Sequence, residues 1–413
     1  MSLCVADVLA LPGLESLTLR AGQARLHNQI SWPYVAENES IAEWVLGGEL
    51  VFVTGINHPR DEASLLRLVQ EAHDSLCAGL VILTGGDYIH AIPESVSAAA
   101  ERLGLPLLEQ PYALKLVLVT HSIGTALVQA QMLGRSRQHV LEQLLEGDYH
   151  SLDLLHQRAD AVQLSLSAPQ QIALFKLEGS EALFAAQSAS EAEQKLQAHR
   201  QRVQVSLQQA LSELGASLPL VPQGEHWIAL LPCADSQAAA RNRQWLADFL
   251  ATLKADLAPL RLFLGLSTGE HRPERYAAGL REARQALQAA QSFPERLGLC
   301  SFNELGVLRL LGAIGDRHLL DRFVAEVLGA ALGDDLRHEP VLLPTLEAWT
   351  HENGNLALAA QRLGVHRNTL SYRLQRFETL TGRSLDAPHV RLDIAVALMI
   401  RRLFSTQLPR STS

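Results

Sequence analysis

Two periods of apolar and polar positions alternate along the chain, and each indicates a different element. In residues 1–125, short runs of consecutive apolar residues are separated by stretches in which apolar residues recur every three or four positions. The short runs predict buried strands and the stretches between them predict helices. Because such an alternation is typical of βαβ units, we expect a mainly parallel sheet. The predicted strands are 49–55, 79–86 and 105–109, and the predicted helices are 62–78 and 93–103.

Residues 166–300 repeat this alternation, in an order of elements similar to that of nucleotide cyclases. From residue 301 onward the pattern is helical throughout. The sequence therefore predicts a multidomain protein that combines α/β domains with an all-α region. Its predicted parts are an α/β domain at 1–125, a helical linker at 126–165, a second α/β domain at 166–300, a helical connector at 301–340, a helix-turn-helix domain at 341–404 and a disordered tail at 405–413.

A nearly continuous helix is predicted from residue 116 to about residue 164, interrupted at Gly147. Long connecting helices often pair with a second copy of themselves, which would make a dimer seam. The apolar spacing is not a strict heptad, however. Packing of this helix against its own domain is an equally open alternative.

Residues 355–380 have the pattern of two short helices joined by a tight turn. Asn355 is the predicted N-cap of the first helix, because its side-chain oxygen can accept hydrogen bonds from first-turn amides. Ala359 and Ala360 are small enough to let the second helix cross closely. Gly364 supplies the left-handed residue that ends the first helix, and His366 is placed to cap the second.

The second helix, 367–380, has an apolar face and a polar face. Leu370, Leu374 and Phe377 lie at i, i+4 and i+7, so they form its predicted buried stripe. The polar face has the residue types that read DNA, because Arg and Asn can bond base edges while hydroxyls and further Arg can bond phosphates. The predicted DNA-binding residues are His366, Arg367, Asn368, Thr369, Ser371, Tyr372, Arg373 and Arg376.

Position along the helix divides these residues into two groups. Arg367, Asn368 and Ser371 are expected to reach the bases, since the N-terminal part of a recognition helix usually does so. Tyr372, Arg373 and Arg376 are expected to contact the DNA backbone. The alternative is an ordinary helical hairpin with a solvated polar face, and charge favours DNA, because residues 355–385 hold five arginines against one acidic residue.

Charge is unevenly distributed along the chain. The whole chain of 413 residues has a formal net charge of −9, yet residues 344–413 carry nine Arg and only five Asp or Glu. An acidic body with a basic C-terminal region suits a regulator whose sensory part should not bind nucleic acid. The double-stranded DNA partner is therefore assigned to the C-terminal region.

A small-molecule pocket is predicted at the ends of two strands in the first domain. Both strands end in Thr-Gly, at Thr54-Gly55 and Thr84-Gly85, and ligand crevices form at the carboxyl ends of parallel strands. These four residues are the candidate effector-binding positions. Alternatively, the glycines only make tight turns between strand and helix.

Composition limits cofactors and location. Four widely separated cysteines and sixteen histidines show no metal-type spacing, so we expect neither a metal nor a cofactor. The N-terminus lacks a basic signal region, and no apolar run is long enough to span a bilayer. These features predict a soluble cytoplasmic protein that does not bind a membrane and that associates with the nucleoid when bound to DNA.

The order of parts resembles the PucR/CdaR-type bacterial transcription regulators over almost the whole chain. The segments that carry this resemblance are 30–37, 47–55, 92–94 and 105–108 in the PucR-type N-terminal domain, 265–269 and 276–287 in the GGDEF-like domain, and the Gly-Val-His-Arg-Asn-Thr-Leu turn at 364–370. The resemblance implies control of catabolic genes by an effector such as a purine, an amino acid or a sugar acid. We expect an activator, although the sequence leaves activation and repression open as alternatives.

The middle domain departs from active cyclases at their signature hairpin. Where cyclases carry Gly-Gly-Asp-Glu-Phe, this chain has Gln223-Gly-Glu-His-Trp227, so His226 stands where a metal-binding carboxylate belongs. Two divalent ions need hard oxygen ligands, so we predict no enzyme activity and a scaffold or dimerisation role.

The resulting prediction is a homodimeric, effector-responsive, DNA-binding transcription regulator. One alternative is a nucleotide cyclase-like or nucleotide-sensing protein that uses residues 166–300. Another is an interaction scaffold whose helical hairpin does not touch DNA.

Overall fold

The structure is a computed structural model that describes residues 3–86, 88–337 and 340–404. The predicted tail at 405–413 lies outside these residues. The chain divides into two compact units, a first unit of residues 1–139 and a second unit of residues 140–413. Each unit is considered separately.

The first unit is a five-stranded sheet with helices on both faces. The strand order is β1-β5-β4-β3-β2, in which β2 to β5 run parallel and β1 runs antiparallel to β5. This confirms the mainly parallel sheet predicted from sequence. The elements are α1 (Val5–Leu9), β1 (Thr18–Ala21), β2 (Pro33–Ala36), β3 (Leu50–Val53), α2 (Glu62–Asp74), β4 (Gly79–Thr84), α3 (Glu94–Leu103), β5 (Leu107–Pro111) and the start of α4 (Leu116–Glu146).

The central strand β3 explains how the core of this unit is arranged. All four of its side chains are buried. Val51 and Val53 pack with residues of α2 and α3 on one face, and Leu50 and Phe52 pack with residues of α1 and α4 on the other. A parallel strand covered on both faces reads as a continuous apolar run, which is why β3 was predicted correctly. The edge strands β1 and β2 were not predicted, because they are short and half-exposed.

The second unit contains a mixed sheet of order β10-β9-β6-β8-β7, with β6 antiparallel to both β8 and β9. One prediction was wrong here. The sequence predicts a turn at 222–226 that leads into a strand at 227–231, but 221–223 form strand β7, which pairs with β8 in a hairpin closed by Gly224 and Glu225. The elements are α5 (Leu152–Ala161), β6 (Gln170–Glu178), α6 (Ser180–Ala186), α7 (Ala189–Glu213), β7 (Val221–Gln223), β8 (His226–Pro232), α8 (Ser236–Leu257), β9 (Arg261–Leu266), α9 (Tyr276–Ser292) and β10 (Leu299–Ser301).

The remainder of the second unit is helical, as predicted. Two helices take part in two hydrophobic cores. Leu320 of α11 and Leu403 of α15 are buried in the core beneath α9, whereas Val327 of α11 and Ile394 of α15 are buried in the C-terminal helical core. The helices are α10 (Leu308–Ala313), α11 (Arg317–Arg337), α12 (Leu342–His351), α13 (Leu356–Leu363), α14 (Arg367–Thr381) and α15 (Pro388–Phe404).

The long helix α4 differs from expectation in one respect. It ends at Glu146, and Gly147 follows in the left-handed region with φ 74°, which confirms the predicted interruption. Among the described residues, α4 is also long and apolar enough to cross a membrane by length and composition, although the sequence was expected to contain no such run. A helix of a soluble protein can pass the same test.

Candidate nucleic-acid interface

The first helix of the predicted pair, α13, is built as its sequence indicates. The Asn355 side-chain oxygen accepts hydrogen bonds from the backbone amides of Ala357 at 3.0 Å and Leu358 at 3.2 Å. Ala359 and Ala360 are buried where α13 packs on its neighbours. Gly364 ends the helix at φ 65°, a conformation that other residues adopt only with strain.

His366 caps α14, as predicted. Its Nδ1 accepts a hydrogen bond from the amide of Asn368 at 3.2 Å, while the ring remains exposed. Because Nδ1 is the acceptor, the ring proton of the neutral form is on Nε2. Nε2 can therefore donate to an external acceptor such as a phosphate oxygen.

The apolar face of α14 is anchored in the C-terminal helical core. Leu370 and Phe377 are fully buried and Leu374 is nearly so, which confirms the predicted stripe. At 100° per residue, the direction opposite this stripe is occupied by Asn368, Tyr372 and Gln375. All three are exposed.

The remaining predicted residues flank this outward line. Arg367, Thr369 and Ser371 are exposed, and Arg373 and Arg376 are half-buried. Gln375 was not among the predicted DNA-binding residues. Its distance of seven positions from Asn368 gives both side chains the same direction, and this spacing was the available signal.

The five arginines of this region do not have equal roles. Arg362 pairs with Glu352 at 3.1 Å, and Arg383 pairs with Asp393 at 3.3 Å, so these two hold the helices together. Within the part of the chain that the structure describes, the side chains of Arg367 and Arg373 make no ion pair or hydrogen bond. The basic surface is therefore narrower than the five arginines counted in residues 355–385 suggested.

Buried polar contacts fix the helices behind α14. The Asp335 carboxylate is nearly buried and accepts three hydrogen bonds, each 2.9 Å long, from the amides of Val341, Leu342 and Leu343. These amides begin α12 and have no partner within that helix. A negative charge at a helix N-terminus is also favoured by the helix dipole, so Asp335 connects the end of α11 to α12.

The last turn of α15 is attached to the middle domain by polar contacts. The Leu403 carbonyl accepts hydrogen bonds from Gln288 Nε2 at 3.0 Å and from Ser292 Oγ at 3.2 Å. The Arg402 Nε donates to the Ser292 carbonyl at 3.2 Å, and its guanidinium pairs with Glu295 at 3.0 Å. Since α15 also covers α14's core, these contacts link the helix-turn-helix to α9.

The hairpin that corresponds to the cyclase signature has cationic surroundings. Burial, together with the charges of Lys176 and Arg284, lowers the pKa of His226 below its usual value. Arg200 donates to the carbonyl of Gly224 at 2.8 Å, and the Lys176 ammonium lies 3.1 Å from Glu178. Lys176 also lies 3.9 Å from Glu225, so the carboxylates near this hairpin are paired with a cation, and His226 offers nitrogen where two divalent ions need hard oxygen ligands.

The motif at 265–269 has a structural role. Thr268 donates to the Glu282 carboxylate through its hydroxyl at 2.6 Å and its amide at 2.9 Å, and His271 lies 3.2 Å from the same oxygen. Burial alone would raise the pKa of Glu282, but hydrogen bonds from His271 and Thr268 hold it below its usual value. A side chain at Gly265 would overlap the backbone of α9, with the carbonyl of Ala283 only 2.1 Å away.

The four candidate effector residues lie together, at the carboxyl ends of β3 and β4, but their groups are engaged internally. The Thr84 hydroxyl donates to Glu109 at 2.5 Å, and Thr54 Oγ1 accepts from the amide of Ile56 at 3.2 Å. A Cβ on Gly55 would lie 3.1 Å from the side chain of Ile89. These contacts favour the alternative interpretation, in which the glycines make tight turns.

Two aromatic side chains beside these residues were not singled out from the sequence. Tyr88 and Tyr112 are 43% and 50% exposed, and their ring centroids are 6.4 Å apart. Gly86 lies against the Tyr112 ring, since a Cβ there would be 3.5 Å from it. Arg20, which pairs with Glu109, supplies a charged group at the same edge of the sheet.

Three family models match the chain and together cover most of it. Residues 7–127 match the purine catabolism regulatory protein-like family, residues 146–289 match a GGDEF-like domain, and residues 342–400 match the PucR C-terminal helix-turn-helix domain. The three matched regions occur in the order expected from the resemblance. The chain belongs to the PucR-type family.

Curated relatives of this PucR-type protein come from Bacillus subtilis (strain 168). The purine catabolism regulatory protein is 36% identical over 75 residues, which is 18% of this chain and 14% of the relative. The proline-responsive transcriptional activator PutR is 23% identical over 168 residues, or 40% of this chain and 41% of the relative. The DNA-binding transcriptional activator AdeR is 26% identical over 123 residues, or 30% and 29%. The chain thus spans less than half the length of each relative.

Proposed function

We propose that this PucR-type protein is a sequence-specific DNA-binding activator of catabolic genes that responds to a small-molecule effector. The observation that carries the proposal is α14, whose apolar face is anchored in the core while its polar face is exposed. Its start is capped by His366, and Asn368, Tyr372 and Gln375 point outward.

The residue types on this face match the chemistry of the major groove. Asn368 and Gln375 can each make two hydrogen bonds to adenine, and Arg367 can do so to guanine. Arg373 and Arg376 flank the line of readers and can neutralise phosphates on either side of the groove. His366 can add a phosphate contact through Nε2.

The effector proposal rests on the first unit and on the relatives. Residues 7–127 match the purine catabolism family model, and one relative is named as proline-responsive. We assign effector contacts to the exposed rings of Tyr88 and Tyr112 beside Thr84 and Gly85, rather than to the internally bonded threonine hydroxyls, because exposed rings offer stacking surface to a flat or apolar ligand.

The middle domain is proposed to be a scaffold that positions the helix-turn-helix rather than a cyclase. The imidazole nitrogen of His226 is a poor ligand for two divalent ions, and α11 and α15 each contribute to both cores of the second unit. Within the second unit, such packed elements can transmit a change to α14. We place the protein in the cytoplasm as a homodimer that reads two half-sites.

Selection of preferred sites from a random duplex library, followed by titration of the purified chain, tests the proposal. The expected result is a preferred sequence whose binding weakens as salt increases, because phosphate contacts release counterions. Asn368→Ala should relax the base preference, and Arg202→Ala, an exposed arginine on α7, should leave it unchanged. Absence of duplex binding at low salt would contradict the proposal, and product formation from GTP and magnesium would support the cyclase alternative.

A further inference from the structure

One face of α4 carries regularly spaced side chains that the first unit leaves exposed. The positions alternate by three and four residues, as on the seam of a coiled coil. All six side chains are exposed. They are Leu118, His121, Thr125, Val128, Met132 and Arg135.

The opposite face of the same helix accounts for the irregular apolar pattern seen in the sequence. Val119, Ile123 and Leu127 are buried against the sheet of the first unit. The apolar residues of α4 therefore belong to two faces, and only the exposed one follows a heptad. Leu118 is 55% exposed and Met132 is 64% exposed, so neither side chain covers the core of the first unit.

Glycine usage indicates that another surface approaches this helix closely. Gly124 borders the exposed face and lies within α4, where glycine is unfavourable because of its backbone freedom. A Cβ built at Gly124 has no neighbour within 4 Å. Intramolecular packing therefore does not require this glycine, whereas a closely packed second helix would.

We propose that this face of α4 pairs with the same face of a second copy. The inference rests on the proposed function, since an operator with two half-sites requires two copies. A segment of about 20 residues is about 30 Å long and about 10 Å across. Two such segments would bury on the order of 1,000 Å² in total, near the lower limit for a specific interface, so we expect a weak dimer.

Charge indicates that the two helices run antiparallel. Residues 116–139 contain no acidic residue. A parallel pair would place Arg135 against the Arg135 of the second copy with no carboxylate to separate them. In an antiparallel pair centred on Val128, Arg135 lies opposite His121, and Met132 lies opposite Gly124.

A membrane is the less favoured occupant of this face. A helix that crosses a bilayer is surrounded by lipid or by other spanning helices, but α4 is packed along Ile123 and Leu127 against a sheet domain. Its exposed face also carries Gln129 and Gln131. These amides would be costly in hydrocarbon.

Sedimentation velocity of the full chain, without DNA, at concentrations from 1 to about 100 µM tests the proposal. We expect the unaltered chain to shift from monomer to dimer over this range. The double variant Val128→Glu/Met132→Glu should remain monomeric with an unchanged circular dichroism spectrum. Val205→Glu, a matched change of a 49% exposed valine on α7, should dimerise normally.

Cysteine cross-linking tests the orientation. Under mild oxidation, Val128→Cys should form a covalent dimer, because the two residues meet at the centre, whereas Leu118→Cys should not. Equal cross-linking of both variants would overturn the antiparallel pairing. Three results would overturn the proposed pairing of α4. The double glutamate variant could still dimerise, the unaltered chain could stay monomeric, or the unaltered chain could float with lipid vesicles. Retained sequence-specific DNA binding in those cases would leave the proposed function intact.

Discussion

Arg402 joins the last turn of α15 to the middle domain, and the substitution Arg402→Ala tests how much its contacts stabilise the docked turn. Its Nε donates to the Ser292 carbonyl, a charged hydrogen bond that contributes about 1.5 kcal/mol. The guanidinium lies 4.8 Å from the ring centroid of Phe293, which adds about 0.5 kcal/mol. The ion pair with Glu295 is largely exposed and adds at most about 0.5 kcal/mol.

Together these contacts should stabilise the docked turn by about 2 kcal/mol, or roughly 30-fold in the opening equilibrium. Hydrogen–deuterium exchange measures this opening directly. In Arg402→Ala, amides in the last turn of α15 should exchange roughly 30-fold faster, while amides of α14 should keep their protection because Leu370 and Phe377 belong to the other core.

Arg401→Ala is the control, since Arg401 is on the same turn but lies 3.9 Å from Glu347 of α12. It should accelerate exchange of the last turn much less. If Arg402→Ala left that exchange unchanged, or if the control had an equal effect, Arg402 would not be what holds α15 on the middle domain.

Three further predictions concern the helix-turn-helix and the middle domain. Gln375→Ala should weaken binding to the best operator by about 1–3 kcal/mol and relax the preference at one base, whereas Arg373→Ala should weaken binding to all duplexes alike. Equal sequence preferences of the two variants in anisotropy titrations would contradict this division. Gly364→Ala should lower the free energy of unfolding by about 1 kcal/mol because φ is 65° there, and an unchanged denaturation midpoint would refute that reason. The folded pKa of Glu282 is below its ordinary value of 4.5, so the ionised carboxylate stabilises the fold above that pH and this stabilisation is lost as pH falls below it. Glu282→Gln should therefore have a lower free energy of unfolding than the unaltered chain at pH 7, and the difference should shrink towards pH 3. A difference that does not change with pH would count against this linkage.

Local sequence signals were sufficient for much of the DNA-binding region. The Asn355 cap, the left-handed Gly364 and the Leu370 stripe are each determined by residues within one or two helical turns, and the structure confirms all three. The buried strands β3 and β4 were also predictable, because both faces of a central parallel strand must be apolar.

Long-range packing accounts for what the sequence did not reveal. Strands β1 and β2 at the sheet edges are too short and too exposed to give a clear period. The ion pair of Arg383 with Asp393 and the internal hydrogen bond of Thr84 depend on residues distant in sequence. Charge counting and strand-end glycines therefore suggested a broader basic surface and a more open pocket than the structure contains.

The salt dependence of operator binding, measured for the unaltered chain and for Arg373→Ala, tests the central claim most directly. If α14 binds DNA through its exposed face, the logarithm of the association constant should fall linearly with the logarithm of salt concentration. The slope for Arg373→Ala should be smaller by about 0.9 for each bound copy, or about 1.8 for a homodimer on two half-sites. Arg202→Ala on α7 should keep the original slope. Binding that is insensitive to salt, or an identical slope for Arg373→Ala, would contradict the assignment of this face to DNA.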